Sequence, residues 1–318
     1  MLRALLLYLS KAEWARRIAR SWKLTWMVAS RFVAGETLEE ALAAIKTLNE
    51  AGINVTLDHL GENTSTDEDA LLATDEILKL LDIVEQADLR SGVSIKLSQI
   101  GLGMNDALCE ENLHRILEHA KEQGNFVRID MEDTPFTDIT LEMYSNMRAK
   151  GFEDTVGIVI QSYLYRSEKD VQQILAQGGK IRLCKGAYNE PAEVAFPKKQ
   201  DVDENFDLVA NMMLDAALET GITISSDGKI PPIPAIGTHD EKRIAHAKAY
   251  AEKIGLPKEG FEFQMLYGIR EDIQRQLVAD GYPVRVYVPY GTEWYPYFVR
   301  RLAERPANVW FFISNFFR

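Results

Sequence analysis

ETLEEALAAIKTLNE (36–50), then Ala51-Gly52, then INVTLDHLG (53–61) is the stretch whose reading decides the fold. Leu38, Ala41, Leu42, Ile45 and Leu48 fall on one face at helical spacing, and Thr37 and Glu40 stand as the two halves of a capping box. The glycine ends the helix, and a short β-rich run follows it. The same unit recurs down the chain: an amphipathic stretch, a glycine or polar break, then five to seven mostly apolar residues. Candidate strands are 53–58, 92–97, 126–131, 156–162, 180–184, 232–238, 261–266 and 283–288. Near-continuous apolar strands, each followed by a helix, pair in parallel and are covered on the outside, and eight such units close into a (β/α)8 barrel. A doubly wound α/β sheet also alternates in this way, but it carries a glycine-rich phosphate turn after its first strand, where this chain has DHLGENT (58–64).

Working outward, no linker, charge block or composition shift marks a second domain, so residues 1–35 read as an N-terminal helical extension and 36–318 as the barrel. The largest irregularity is SSDGKIPP (225–232), whose prolines blur the start of the sixth strand. The 318 residues suit one barrel, and 46% hydrophobic with 26% charged residues is an ordinary globular balance. A net charge of −12 with no basic stripe argues against a nucleic-acid partner. Cys109 and Cys184 form neither a disulfide framework nor a zinc site, which fits a reducing cytoplasm. The Leu-rich start, residues 1–10, breaks into charge too soon to span a bilayer. It reads as packing on the domain or, alternatively, as touching a membrane surface.

Catalytic groups of such barrels sit at the C-terminal ends of the strands. The polar residues there are Asp58, Glu62, Lys96, Arg128, Asp130, Glu132, Gln161, Arg182, Lys185, Thr238, His239, Asp240 and Tyr287. Buried charge is costly unless paired, so Lys96, Arg128, Arg182 and Lys185 are expected to meet Asp58, Asp130 and Glu132, or a charged ligand. A purely structural ion-pair layer is the other reading. TEWYPYFVRRLAER (292–305) is helical in pattern and carries Arg300-Arg301, whose guanidinium forks suit a small carboxylate at the barrel mouth, although a solvated surface pair has the same pattern. No histidine pair has metal-ligand spacing, and no nucleophile elbow occurs.

Taken in order, SRFVAGET (30–37), LDHLGEN (57–63), SIKLSQIGL (94–102), RIDMED (128–133), IRLCKGAYNE (181–190), GTHD (237–240), FEFQMLYGI (261–269), VRVYVPYG (284–291) and YFVRRLAERPANV (297–309) resemble the proline dehydrogenase family in its short monofunctional bacterial form. The resemblance implies a barrel with its eighth helix over the mouth and FAD held non-covalently. It also implies oxidation of L-proline to Δ1-pyrroline-5-carboxylate, a membrane quinone as electron acceptor, and peripheral contact with the inner face of the cell membrane. The following aldehyde oxidation would fall to a separate pyrroline-5-carboxylate dehydrogenase. Lys96, Arg300 and Arg301 match residues that hold the proline carboxylate, and Tyr287 and Leu266 match those packed on the ring. Asp130 and Arg182 match catalytically important positions, with Tyr287 at their side. Met131, Gln161, Arg182, Lys185, Gly186, Ala187, Thr238 and His239 match flavin-binding positions, and Glu62 matches a gate that pairs with Arg300. Cys184 departs from the aliphatic residue more usual there, with no redox role expected. A flavin oxidoreductase acting on another cyclic amino acid is the alternative, because a fold does not fix a substrate.

Overall fold

In the computed structural model, residues 12, 14, 23–61 and 64–304 are described. Helix α1 (Lys23–Ala29) leads to α2 (Leu38–Glu50), which opens on the expected capping box: the Glu40 N–H donates to Thr37 Oγ1 at 3.4 Å, and the Thr37 N–H donates to Glu40 Oε2 at 3.2 Å. Ala41 and Ile45 carry its buried face. Eight parallel strands follow: β1 (Asn54–His59), β2 (Ser91–Ile95), β3 (Val127–Ile129), β4 (Val156–Gln161), β5 (Lys180–Cys184), β6 (Pro234–Gly237), β7 (Glu262–Leu266) and β8 (Val284–Tyr290). Each pairs with the next and β8 pairs with β1, which closes the barrel. Between them lie α3 (Asp67–Gln86), α4 (Asp106–Glu122), α5 (Thr134–Met147), α6 (Ser167–Leu175), α7 (Lys199–Thr220), α8 (Glu241–Ile254) and α9 (Glu271–Ala279). Among the described residues no helix is long and apolar enough to cross a membrane.

The apolar half of each strand faces the helices: Val55, Leu57, Val127, Ile129, Ile158, Ile181, Leu183, Phe263, Val284 and Val286 are all buried in one continuous core. The alternate residues point inward, as strand geometry requires, and there the barrel is strongly polar. Arg128 is one of these. Its guanidinium does not meet a carboxylate but donates to the Ile158 carbonyl at 3.2 Å and the Lys180 carbonyl at 2.6 Å, low in the barrel. Room for it exists only because residue 157 is glycine, where a Cβ would sit 2.7 Å from the Arg128 Cζ. Gly157→Ala is therefore expected to destabilise the fold by about 1–3 kcal/mol through overpacking, read as a lower urea midpoint at unchanged slope.

Strand boundaries move for identifiable reasons. The sixth strand begins at Pro234 and not at 232, because SSDGKIPP does another job: it closes the N-terminal end of the barrel. There Gly228 lies at φ +72 against Asn54, its carbonyl accepts from Arg285 Nη2 at 2.7 Å, and Lys229 is buried beside Glu85. The second strand stops at Ile95, since Lys96 caps a short 3-10 turn, Leu97–Ile100, with its backbone N–H donating to Gln99 Oε1.

The helix after β8, α10 (Trp294–Glu304), does not join the outer ring. Trp294, Tyr295, Phe298 and Val299 pack with Ala29, Phe32 and Val33 of the α1 region and with Leu60 and Tyr287 at the strand ends. This places α10 across the mouth, with the Trp294 ring tilted against Trp26 at 5.3 Å and its Nε1 donating to Glu36 at 2.8 Å.

Candidate active site

At the mouth, β1, β2, β3, β5, β7 and β8 each contribute a polar side chain to one buried cluster. Strand register makes this possible: Ser94 lies opposite Arg128 and Tyr287 opposite Thr56 and Leu266, so Lys96, Asp130 and Asp58, two residues further along the chain at the strand ends, rise together above them. Arg182 is the centre. Its Nη1 donates to Asp130 Oδ1 at 2.8 Å, Nη1 and Nη2 each reach Ser94 Oγ at 3.2 Å, and Nε donates to Gln264 Oε1. The Tyr287 hydroxyl donates to the other Asp130 oxygen at 2.8 Å, and the Arg182 guanidinium lies over the Tyr287 ring at 5.3 Å. Lys96 Nζ stands 3.4 Å from both oxygens of the fully buried Asp58 and 3.8 Å from Asp130 Oδ2.

Asp130 is thus shared by a guanidinium, a phenol and an ammonium, and Lys96 by two carboxylates. Two cations face two carboxylates, so this cluster is internally neutral. An added anion would need positive charge from elsewhere, and α10 carries it at the mouth: Arg301 lies 5.0 Å over the Tyr297 ring and is near enough to Cys184, at the end of β5, to oppose the rise of its pKa. Burial comes first among the causes that push the Tyr287 phenol well above its ordinary value, with Asp130 and Asp58 adding to it. The hydroxyl therefore remains a proton donor to Asp130.

A second group lines the ends of β4, β5 and β6. Gln161 is buried, and its amide donates to the Glu132 carbonyl at 3.0 Å, while the Glu132 carboxylate holds the Ser98 backbone at 3.0 Å and hydroxyl at 2.6 Å. Met131 is buried in the core. Thr238 Oγ1 accepts from the Asp240 N–H at 3.1 Å. His239 Nε2 accepts the Leu266 N–H at 2.8 Å, which makes Nε2 the unprotonated nitrogen and leaves Nδ1 as the donor. Lys185 bridges Asp203 at 2.5 Å and Asp240 at 2.6 Å, pulling the Asp240 carboxyl down to about 2 against the opposing effect of burial. Gly186 follows at φ +118, where a Cβ would run into the Tyr163 ring, and Ala187 continues the turn half-buried.

The expected residues are therefore brought to one end of the barrel, with adjustments. Arg128 sits low and meets carbonyls, Lys185 takes its acids from α7 and from Asp240, and Glu62 lies outside the described residues, as does the terminal segment 305–318. Motif reading passes over Ser94, Gln264, Glu262 and Arg285. The available signal is the alternation of polar with apolar residues in FEFQ (261–264) and VRVYV (284–288), in strands that are otherwise apolar.

Cys184 and Cys109 are poor nucleophiles here: burial chiefly pushes their thiols up to about 11 and about 12. Both are expected to react with a thiol reagent at pH 8 on the order of 100-fold more slowly than free cysteine until the protein unfolds, as followed by thiol titration with and without denaturant.

A family model described as proline dehydrogenase matches residues 41–313. The chain is 42% identical over 293 residues to a proline dehydrogenase of Deinococcus radiodurans, covering 91% of this chain and 90% of that one. It is 39% identical over 315 residues to proline dehydrogenase 1 of Bacillus subtilis, covering 99% of each. Among solved structures, it matches proline utilization A from Bdellovibrio bacteriovorus, inactivated by N-propargylglycine, with a TM-score of 0.79 and 28% identity. That match covers 88% of this chain and 33% of the longer one, so the chain spans about a third of that protein. The barrel, the ordered strand-end groups and these likenesses agree: the chain belongs to the proline dehydrogenase family.

Proposed function

We propose that this chain oxidises L-proline to Δ1-pyrroline-5-carboxylate, using non-covalently bound FAD as the immediate acceptor and a membrane quinone as the final one. The observation that carries the reading is the neutral, buried Lys96–Asp58–Asp130–Arg182–Tyr287 cluster beneath a helix bearing Arg300 and Arg301, in a chain of this family. The donor set fits a flavin. A flavin ring offers mostly acceptors, and the strand ends supply donors: the Arg182 guanidinium, the Gln161 amide and the Nδ1–H of His239. Lys185, Thr238 and the Gly186-Ala187 turn would hold its phosphate-bearing tail, and Met131 would pack beneath the ring.

Bound flavin supplies the two-electron acceptor that no protein side chain provides. The chain contributes position and field. Lys96, Arg300 and Arg301 bind the substrate carboxylate, whose charge the neutral cluster does not already cancel. Tyr287 and Leu266 pack on the ring and set its angle. Arg182, locked to Asp130, places a fixed positive charge where negative charge grows as the hydride leaves the carbon next to nitrogen. Glu62, pairing with Arg300, would close the mouth over the substrate and exclude water. The product would pass to a separate pyrroline-5-carboxylate dehydrogenase, and a quinone acceptor calls for peripheral contact with the inner face of the cell membrane.

The purified chain should be yellow, or become so with FAD, and anaerobic L-proline should bleach it. Protein that takes up no flavin, or flavoprotein that L-proline leaves oxidised, overturns the reading; bleaching by another cyclic amino acid alone selects the alternative substrate. Tyr287→Phe should weaken the preference for proline over hydroxyproline about 10-fold through loss of shape and of the Asp130 bond. The same variant carries a pH signature. A phenol raised in the folded state adds stability below pH ~10 that is lost as pH climbs toward the folded value, so the alkaline fall in stability should be shallower in Tyr287→Phe.

A further inference from the structure

A hydrogen-bonded column runs up the inside of the barrel from its closed end to Asp130. It starts at the Gly228 carbonyl in SSDGKIPP, which accepts from Arg285 Nη2 at 2.7 Å, while Arg285 Nη1 donates to the Val55 carbonyl at 2.9 Å. Arg285 Nε donates to both oxygens of Glu262, at 2.9 and 3.2 Å, and these two side chains are 2% and 0% exposed, so the pair is sealed from water. Glu262 accepts from the Gln264 amide nitrogen, and the Gln264 carbonyl oxygen accepts from Arg182 Nε. Above that stand Ser94 and Asp130 on the outer edge of the guanidinium.

The chemistry of the column is directional. A carboxylate only accepts, so it can face only the NH2 end of an amide, and Glu262 thereby forces the Gln264 oxygen toward Arg182. Ser94 and Asp130 grip the two Nη groups, and the bond to Nε fixes the third corner of the plane. A planar cation held at three corners keeps its orientation while the substrate's charge changes, which two contacts on one edge do not ensure.

We propose that Gln264, oriented by the Glu262–Arg285 pair and anchored through it on the loop that closes the barrel, is a positioning residue for Arg182. It rests on the proline-oxidation reading only for its kinetic consequence. Two measurements separate the two. In flavin-free protein, the Arg182 Nε–H, identified in 15N spectra by its loss in Arg182→Lys, should exchange slowly, and in Gln264→Met at least about 10-fold faster as the buried bond opens. In the flavin-loaded protein, Gln264→Met should lower the rate of flavin reduction by proline about 10-fold or more, as misplaced catalytic groups do, with proline affinity within about twofold and a shifted flavin midpoint potential. Gln264→Asn, polar but one methylene short of bridging its neighbours, should behave the same way and serves if the methionine variant does not fold.

An Arg182 Nε–H that exchanges as fast as exposed arginines in the parent overturns the proposal without any variant. So do a rate and potential unchanged in both Gln264 variants. A parent enzyme that proline cannot reduce refutes the function instead, while the exchange measurement still decides the role of Gln264.

Discussion

Arg182→Met is expected to lower the rate of flavin reduction by proline about 10²–10³-fold, the loss typical of removing one preorganised charge from the place where charge develops. Arg182 is buried, with four of its contacts ending on Asp130, Ser94 and Gln264, so its position is set before substrate arrives. Deleting it also strands the Asp130 carboxylate next to Lys96 and Tyr287 alone, and breaking a buried pair from one side costs about 3–5 kcal/mol. Adding Asp130→Asn to Arg182→Met should recover part of that stability in urea unfolding and none of the rate. Stopped-flow reduction within threefold of the parent in Arg182→Met would remove Arg182 from the chemistry.

Glu262→Leu is expected to be among the most destabilising single changes in the chain, at about 3–5 kcal/mol, because it leaves the buried guanidinium of Arg285 without its carboxylate. The double variant Glu262→Leu, Arg285→Met removes both charges and should regain most of the loss, since an apolar pair of similar volume often matches a buried ion pair. Urea unfolding of the four proteins completes the cycle. A single variant within 1 kcal/mol of the parent would mean that the pair is dispensable. The recovered double variant should still reduce flavin slowly, because Gln264 has lost the group that orients it.

The barrel was legible for a simple reason: period and punctuation are local. Leu38, Ala41, Leu42 and Ile45 mark a helix face from any single window, and eight apolar runs can be counted without knowing their partners. Strand ends were less legible where a neighbouring element takes over the backbone. Lys96 leaves β2 because Gln99 captures its N–H, and β6 starts late because the preceding loop is occupied in closing the barrel.

The mouth was legible where charge interrupts an apolar run. Asp58, Lys96, Asp130, Arg182 and Tyr287 all appear in one cluster as their positions required. Ser94, Glu262, Gln264 and Arg285 were not marked, although they share the inward face of the same barrel. A charge in the middle of a strand reads as a structural oddity until its partner is seen, and Glu262 and Arg285 find theirs across 23 residues.

The sequence by itself determined the element order, the closure into a barrel and the family, because these rest on spacing and on motifs written in a line. Only the tertiary structure decided which cation meets which carboxylate: Arg128 on backbone carbonyls, Lys185 on Asp203 and Asp240, Arg182 held by Asp130 and Gln264. Pairing inside a barrel depends on register and on how far each strand rises, and those are set by all eight strands at once.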